Sequence, residues 1–185
     1  MTKPFERPTM TQFPEHPLWD FSVAAYRKTG VAEACLDLQQ AYGVDVNILL
    51  ACVWSGLRGQ SLDAIGINVL RTSVHEWHDE VVRPLRKIRK RMKKGLDAKA
   101  PDQLQLSLRA QLQKVEIDME HAEQLRLAAF LDSAESDPAS GGTVLAVANM
   151  ALYLDSLGAT STPTTGEILQ GIASASAAVF GSGNL

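Results

Sequence analysis

At 185 residues, 45% of them hydrophobic and 21% charged, the chain has the composition of a folded globular protein and excludes a disordered or fibrous one. It is long enough to bury roughly two thirds of the surface that its unfolded form would expose. The formal charge of −3 is unevenly spread: residues 83–94 carry +8 without an acid, which leaves −11 on the rest, a balance that argues against a general nucleic-acid binder.

Residues 1–17 hold four of the eight prolines and read as an irregular tail without the apolar stretch of a signal peptide. A single helical domain is expected over 18–180, and a flexible end over 181–185. Pro17 suits the first turn of a helix over 18–28, closed near Gly30, and a second helix over 31–42 stops at Gly43. In "DVNILLACVWSGL" Asp45 is the N-cap, and the residues after it leave almost no polar face. Such a helix, near 45–57, belongs at the centre of a bundle, where Asn47 must find hydrogen-bond partners. Ser61 opens a fourth helix, and Thr72 or Ser73 caps a fifth that Pro84 kinks or splits near Arg83. Gly95 closes it. A sixth spans 102–132, a seventh ends at Gly158, and Thr164 with Glu167 has capping-box spacing for an eighth reaching about 180. The expected fold is all-α: a compact bundle of six to eight helices around the apolar one.

No apolar run is long enough to span a bilayer. Cys35 and Cys52, each inside a helical apolar pattern, read as buried thiols and not as a disulfide framework, so a cytoplasmic setting is expected.

On a helical wheel, Val74, Trp77, Val81, Leu85, Ile88 and Met92 form one stripe, with the cations opposite. The stripe should enter the core. Glu76, Asp79 and Glu80 precede the cations, an order that suits the helix dipole, and Asp79 stands four residues before Arg83. On the sixth helix, Leu104, Leu108, Leu112, Val115, Met119 and Ala122 make one apolar stripe; Leu106, Ile117, Ala128 and Leu131 make another. Glu116, Glu120 and Glu123 run between them as a carboxylate ladder, able to neutralise part of the cationic face. Three acids cannot match eight cations. Arg83, Arg86, Lys87, Lys90, Arg91 and Lys94 are therefore the expected contact residues, donating charge-assisted hydrogen bonds to an acidic protein or a phosphorylated ligand. The acidic remainder, and cations without interleaved aromatics, weigh against nucleic acid.

Little points to catalysis or to a cofactor. "HEWHDE" sets His75 and His78 at i, i+3, unlike the i, i+4 pair of a zinc hydrolase. The alternative is a metalloenzyme drawing on Glu116, Glu120, His121 and Glu123, with His78. Asp118-x-x-His121 approaches the Glu-x-x-His spacing of two-metal bundles, but it occurs once. No nucleophile elbow is present, and "SGLRGQS" lacks the lysine of a phosphate loop.

Three stretches, "LWDFSVAAYRKTGVAEACLDLQQAYGVDVNILLACVW" (18–54), "WHDEVVRPLRKIRKRMK" (77–93) and "LQKVEIDMEHAEQ" (112–124), resemble a family of short bacterial proteins that carry a domain of unknown function. The likeness extends over roughly 18–157, with "GVDVNILLACVW" and "VVRPLRKIR" its most specific parts. It implies a bacterial, helical protein in which "VVRPLR" and the Glu120–Glu123 pair recur as core design. It brings no activity, cofactor or catalytic residue.

Overall fold

A central apolar helix, roofed on several sides by amphipathic ones, organises the chain. The computed structural model describes residues 13–93, 102–159 and 162–180, all helix and turn, with no strand among them. Most of the expected tail, the 181–185 end, Gly95 and Lys94 lie outside the described residues. The helices are α1 (Pro17–Tyr26), α2 (Val31–Tyr42), α3 (Val46–Leu57), α4 (Ala64–Trp77), α5 (Arg83–Lys93), α6 (Asp102–Ser133), α7 (Thr143–Ser156) and α8 (Pro163–Phe180). No helix is long and apolar enough to cross a membrane among the described residues.

Local signals explain the boundaries. His16 caps α1 by accepting the Leu18 N–H on Nδ1 at 3.1 Å, with Pro17 at N1, where its missing donor is harmless. Gly43 ends α2 with φ +71°, a left-handed conformation that other residues adopt only with strain. Asp45 caps α3, and every residue from Asn47 to Leu57 is buried, as a helix apolar on all sides requires. Each fully buried leucine, isoleucine or valine contributes about 1.5–3 kcal/mol, so α3 anchors the core. Helix α7 lies closest to it. A Cβ on Gly56 would stand 2.3 Å from the Ala146 backbone, so only glycine permits that approach.

Three expectations are corrected. Helix α4 starts at Ala64 and not at Ser61, because Asp63 Oδ1 accepts the Gly66 N–H at 2.7 Å. The preceding residues are held by the core instead: Leu62 N–H donates to Asn149 Oδ1, and Gln60 Nε2 donates to the Leu131 carbonyl. Neither Thr72 nor Ser73 caps a helix, since both hydroxyls donate back to carbonyls of their own turn and the helix runs on. The α8 cap is Thr162, whose Oγ1 accepts the Thr165 N–H at 3.1 Å, two positions before the expected Thr164.

The segment 64–93 is one continuous helix with a single π-turn, His78–Val82, in its middle. Arg83 N–H reaches back five residues to the His78 carbonyl. Pro84 supplies the cause: it lacks an N–H, and its ring would strike the carbonyl four residues earlier in a regular helix. One extra residue in the turn relieves that clash.

Candidate functional site

The π-turn sets which side chains face α6. His78 and Arg86 are eight residues apart, about 80° out of register on a uniform α-helix; one accommodated residue reduces this to about 20°. Both therefore meet α6. The same rotation buries Val82 where the wheel placed Val81, and it turns Ile88 outward to 51% exposure. The expected apolar stripe holds for Val74, which is buried, and ends at Ile88.

On α6 the expected apolar stripes divide: Ala128 and Leu131 are buried in the core, whereas Leu104, Leu106, Leu108, Val115 and Ile117 are exposed. Along that earlier part the carboxylate ladder turns inward, with Glu116 and Glu123 4% and 0% exposed. Glu116 accepts from Arg86 Nε at 3.3 Å and from Arg89 Nη2 at 3.0 Å; Arg89 Nε also bonds Glu116, and Arg86 Nη2 bonds Glu120. Burial raises the Glu120 carboxyl above its usual range despite the Arg86 charge that lowers it.

One turn further along α6, Glu123 enters a second group. Nδ1 of His78 lies 3.0 Å from Glu123 Oε1 and 3.0 Å from Asp45 Oδ2. Asn47 ties the group together, donating its N–H to Asp45 Oδ1 at 2.9 Å and Nδ2 to Glu123 Oε2 at 3.2 Å. Its own Oδ1 accepts from Gln124 Nε2, and Tyr153 OH accepts the Asp45 N–H, both at 2.9 Å. This satisfies the partners that a buried Asn47 needs. Burial would favour neutral His78, but hydrogen bonds and charges from Asp45 and Glu123 outweigh it and hold the imidazole pKa at about 10. For Asp45, burial is outweighed by the His78 contact and the Asn47 N–H, so its pKa is lowered. Glu123 goes the other way: burial, reinforced by the Asp45 charge, pushes it up to about 8 against His78.

A cleft of about 500 Å³ opens above this group, between the α2–α3 turn, α4, α5 and α7. Asp45 and His78 form its floor; Arg71, Arg83, Arg86, Lys87 and Lys90 line its wall. Of the expected contact residues, Arg83, Arg86, Lys87 and Lys90 therefore share one concave surface. Arg83 is paired with Asp79 at 2.8 Å, and Arg86 with the α6 acids. Lys87 and Lys90 are exposed and have no acidic partner among the described residues. Arg91 is exposed, with an interaction of its own, and does not line this cleft. Of the alternative metal set, His78 and Glu123 are brought together with Asp45, while Glu116 and Glu120 are taken by arginines. His121 stacks on Trp19 with ring centres 4.3 Å apart. His75 is exposed beside Asp79 at 3.2 Å.

Three members of the site are unmarked in the sequence. Asp45 has the signature of an N-cap, which it also is; Tyr153 and Arg71 carry no signal, since helical periodicity alone cannot say which helices become neighbours.

The fold and site define an all-α bundle with a cationic cleft over a buried Asp–His–Glu group. The chain belongs to the family described as "Protein of unknown function (DUF2390)", which it matches over residues 17–127, a stretch that holds Asp45, His78, the basic helix and all three ladder glutamates. No curated protein and no solved structure matches the chain.

Proposed function

We propose that this protein binds a small phosphorylated molecule in the cleft above Asp45 and His78, as a binding or accessory protein. The observation that carries the reading is that Lys87 and Lys90, free of acidic partners among the described residues, share a concave wall with Arg71 and Arg83. Concavity favours a small anion over an acidic protein, whose flat surface would reach only the rim. Ammonium groups recognise phosphate as point charges, and a guanidinium adds directed donors. Arg86, already engaged by Glu116 and Glu120, positions the wall.

Titration calorimetry of the intact chain with pyrophosphate and phosphoglycerate tests this. Saturable binding of either, lost when Lys87 and Lys90 are both changed to glutamate at unchanged helical content, is the expected result. Binding of an acidic polypeptide and of neither phosphate overturns it in favour of a protein partner. Steeply salt-dependent binding of duplex DNA alone points to nucleic acid.

A second reading rests on a different observation. One ligand atom from each of Asp45, His78 and Glu123 lies within 4.8 Å of the others, close enough for one ion to bridge them. A divalent cation with these two carboxylates and a neutral imidazole would replace the bound protons, a donor set suited to manganese, iron or zinc. Stoichiometric metal in untagged protein, lost in Asp45→Asn, supports this reading. Absence of metal from such protein, with no uptake of added manganese or zinc, removes it.

A further inference from the structure

Helices α5 and α6 form an antiparallel hairpin. His78, just before α5, meets Glu123; Arg86 meets Glu120 and Glu116; Arg89 meets Glu116. One side of this hairpin looks onto the clefts. Lys87 and Lys90 line the first, and a second cleft of about 630 Å³, between α1, α2 and α6, has Ile117 in its wall.

The opposite side is apolar. On α6, Leu104, Leu108 and Val115 lie about a quarter turn round the helix from Glu116, on the flank away from Ile117. On α5, Leu85, Ile88 and Met92 lie about a quarter turn from the line of Arg86 and Arg89, on the flank away from Lys90. Because the helices run antiparallel, both flanks come to the same face. None of these six residues lines either cleft. Ile88, Leu104, Leu108 and Val115 are between 41% and 53% exposed, and Leu85 and Met92 are half-buried. A single exposed leucine is ordinary, but a contiguous apolar face marks an interaction surface.

Spacing indicates what the face accepts. The α6 residues stand four and then seven apart, and those of α5 three and then four, the repeat of a coiled-coil seam. Two such helices side by side are half of a four-helix bundle. The other half must be a helical pair with the same repeat, and a second copy of this chain supplies one. A two-fold axis through the centre of the face lays α5 of each copy over α6 of the other. That arrangement keeps the two cation-rich α5 helices at opposite corners, whereas α5 set on α5 would repel. Two helices about 10 Å wide and about 18 Å long present a face on the order of 400 Å². A standard interface takes about 800 Å² from each partner, so this face suits a weak, reversible dimer.

We propose that two copies of this chain associate through the outer face of the α5–α6 hairpin, forming a two-fold four-helix bundle. The proposal uses the side of the hairpin turned away from both clefts, and it depends on neither the phosphate-binding nor the metal reading.

Sedimentation equilibrium of the full chain tests it. A monomer–dimer equilibrium with a dissociation constant on the order of 10 µM is the expected result. Leu108→Glu with Val115→Glu should weaken the dimer about a hundredfold or more while the circular dichroism spectrum stays native, since both side chains are exposed in the monomer. Should that double variant misfold, Ile88→Glu on the other helix decides alone. Ile117→Glu, 43% exposed but on the cleft side, should leave the dimer intact. Added salt should tighten association, because it screens the basic helices and favours apolar contact. A chain that stays monomeric at about 200 µM, twenty times the expected constant, overturns the proposal and leaves the face to a different protein. So does a dimer that is indifferent to the folded Leu108 and Val115 or Ile88 variants, one that Ile117→Glu abolishes, or one that salt dissolves.

Discussion

Nδ1 of His78 lies 3.0 Å from Oε1 of Glu123, a carboxyl group with no exposure to solvent. The pair makes stability depend on pH in a defined direction. Glu123 is raised to about 8 in the fold, so the folded state holds a proton that the unfolded chain has released, and stability falls as pH rises through about 8. His78, raised to about 10, contributes stability in full below its unfolded pKa and loses it as pH climbs through about 10. Metal-free protein, kept in chelator, should therefore show a melting temperature that declines from pH 7 to pH 10. Glu123→Gln should flatten the first part of that decline. A melting temperature independent of pH over this range would contradict the geometry.

Arg86 and Lys87 are adjacent cations with opposite expected sensitivities. Changing Arg86 to methionine leaves Glu120 without its guanidinium and the buried Glu116 with Arg89 alone, with an expected loss of about 3 kcal/mol. Lys87→Met, on the exposed side, should change stability by no more than about 0.5 kcal/mol. Urea denaturation of the two variants checks both. A charge-reversal test of the cleft must leave Arg86 in place, since its loss would be read as lost binding.

Gly56→Ala should destabilise by about 1–3 kcal/mol or more, because the added methyl meets the Ala146 backbone, which cannot turn aside as a side chain could. Gly171→Ala, at a helical position with open space around it, serves as the comparison and should be neutral or slightly stabilising. The two midpoints of chemical denaturation give the contrast.

The π-turn yields a prediction about register. One alanine inserted between Glu80 and Val81 rotates everything downstream by about 100° and should part Arg86 from Glu116 and Glu120, with a loss of several kcal/mol. Deleting Glu80 together with Pro84→Ala removes both the extra residue and the ring that requires it, so His78 and Arg86 keep a common face. That double change should melt much closer to the parent than the insertion does. Thermal unfolding followed at 222 nm ranks them; the opposite ranking would sink the account of the turn.

Much of the architecture is legible in the linear chain because its causes are local. Pro17, Gly43, Asp45 and the unbroken apolar run to Leu57 each act within a turn or two, so α1, the end of α2 and the buried α3 follow from periodicity and capping alone. The site is legible in part: the cations of 83–94 are identifiable, and so is the chance that α6 acids pair with some of them. On the basic helix, where expectation and structure part, the cause is a change of helical period. A wheel drawn at a constant 100° per residue cannot anticipate the one extra residue that Pro84 forces, so it buries Val81 in place of Val82 and sends Ile88 inward.

The amino-acid order by itself determined most of the helices, the caps at Gly43 and Asp45 and the block of positive charge, since these depend on neighbours three or four residues apart. Only the tertiary structure decided that the α6 carboxylates face inward, that Asp45 joins His78 and Glu123 across 78 positions of chain, and that Lys87 and Lys90 are left without acids among the described residues. Those outcomes depend on which helix faces which and at what rotation, a choice set by burying the most apolar surface while pairing every charge that goes in with it.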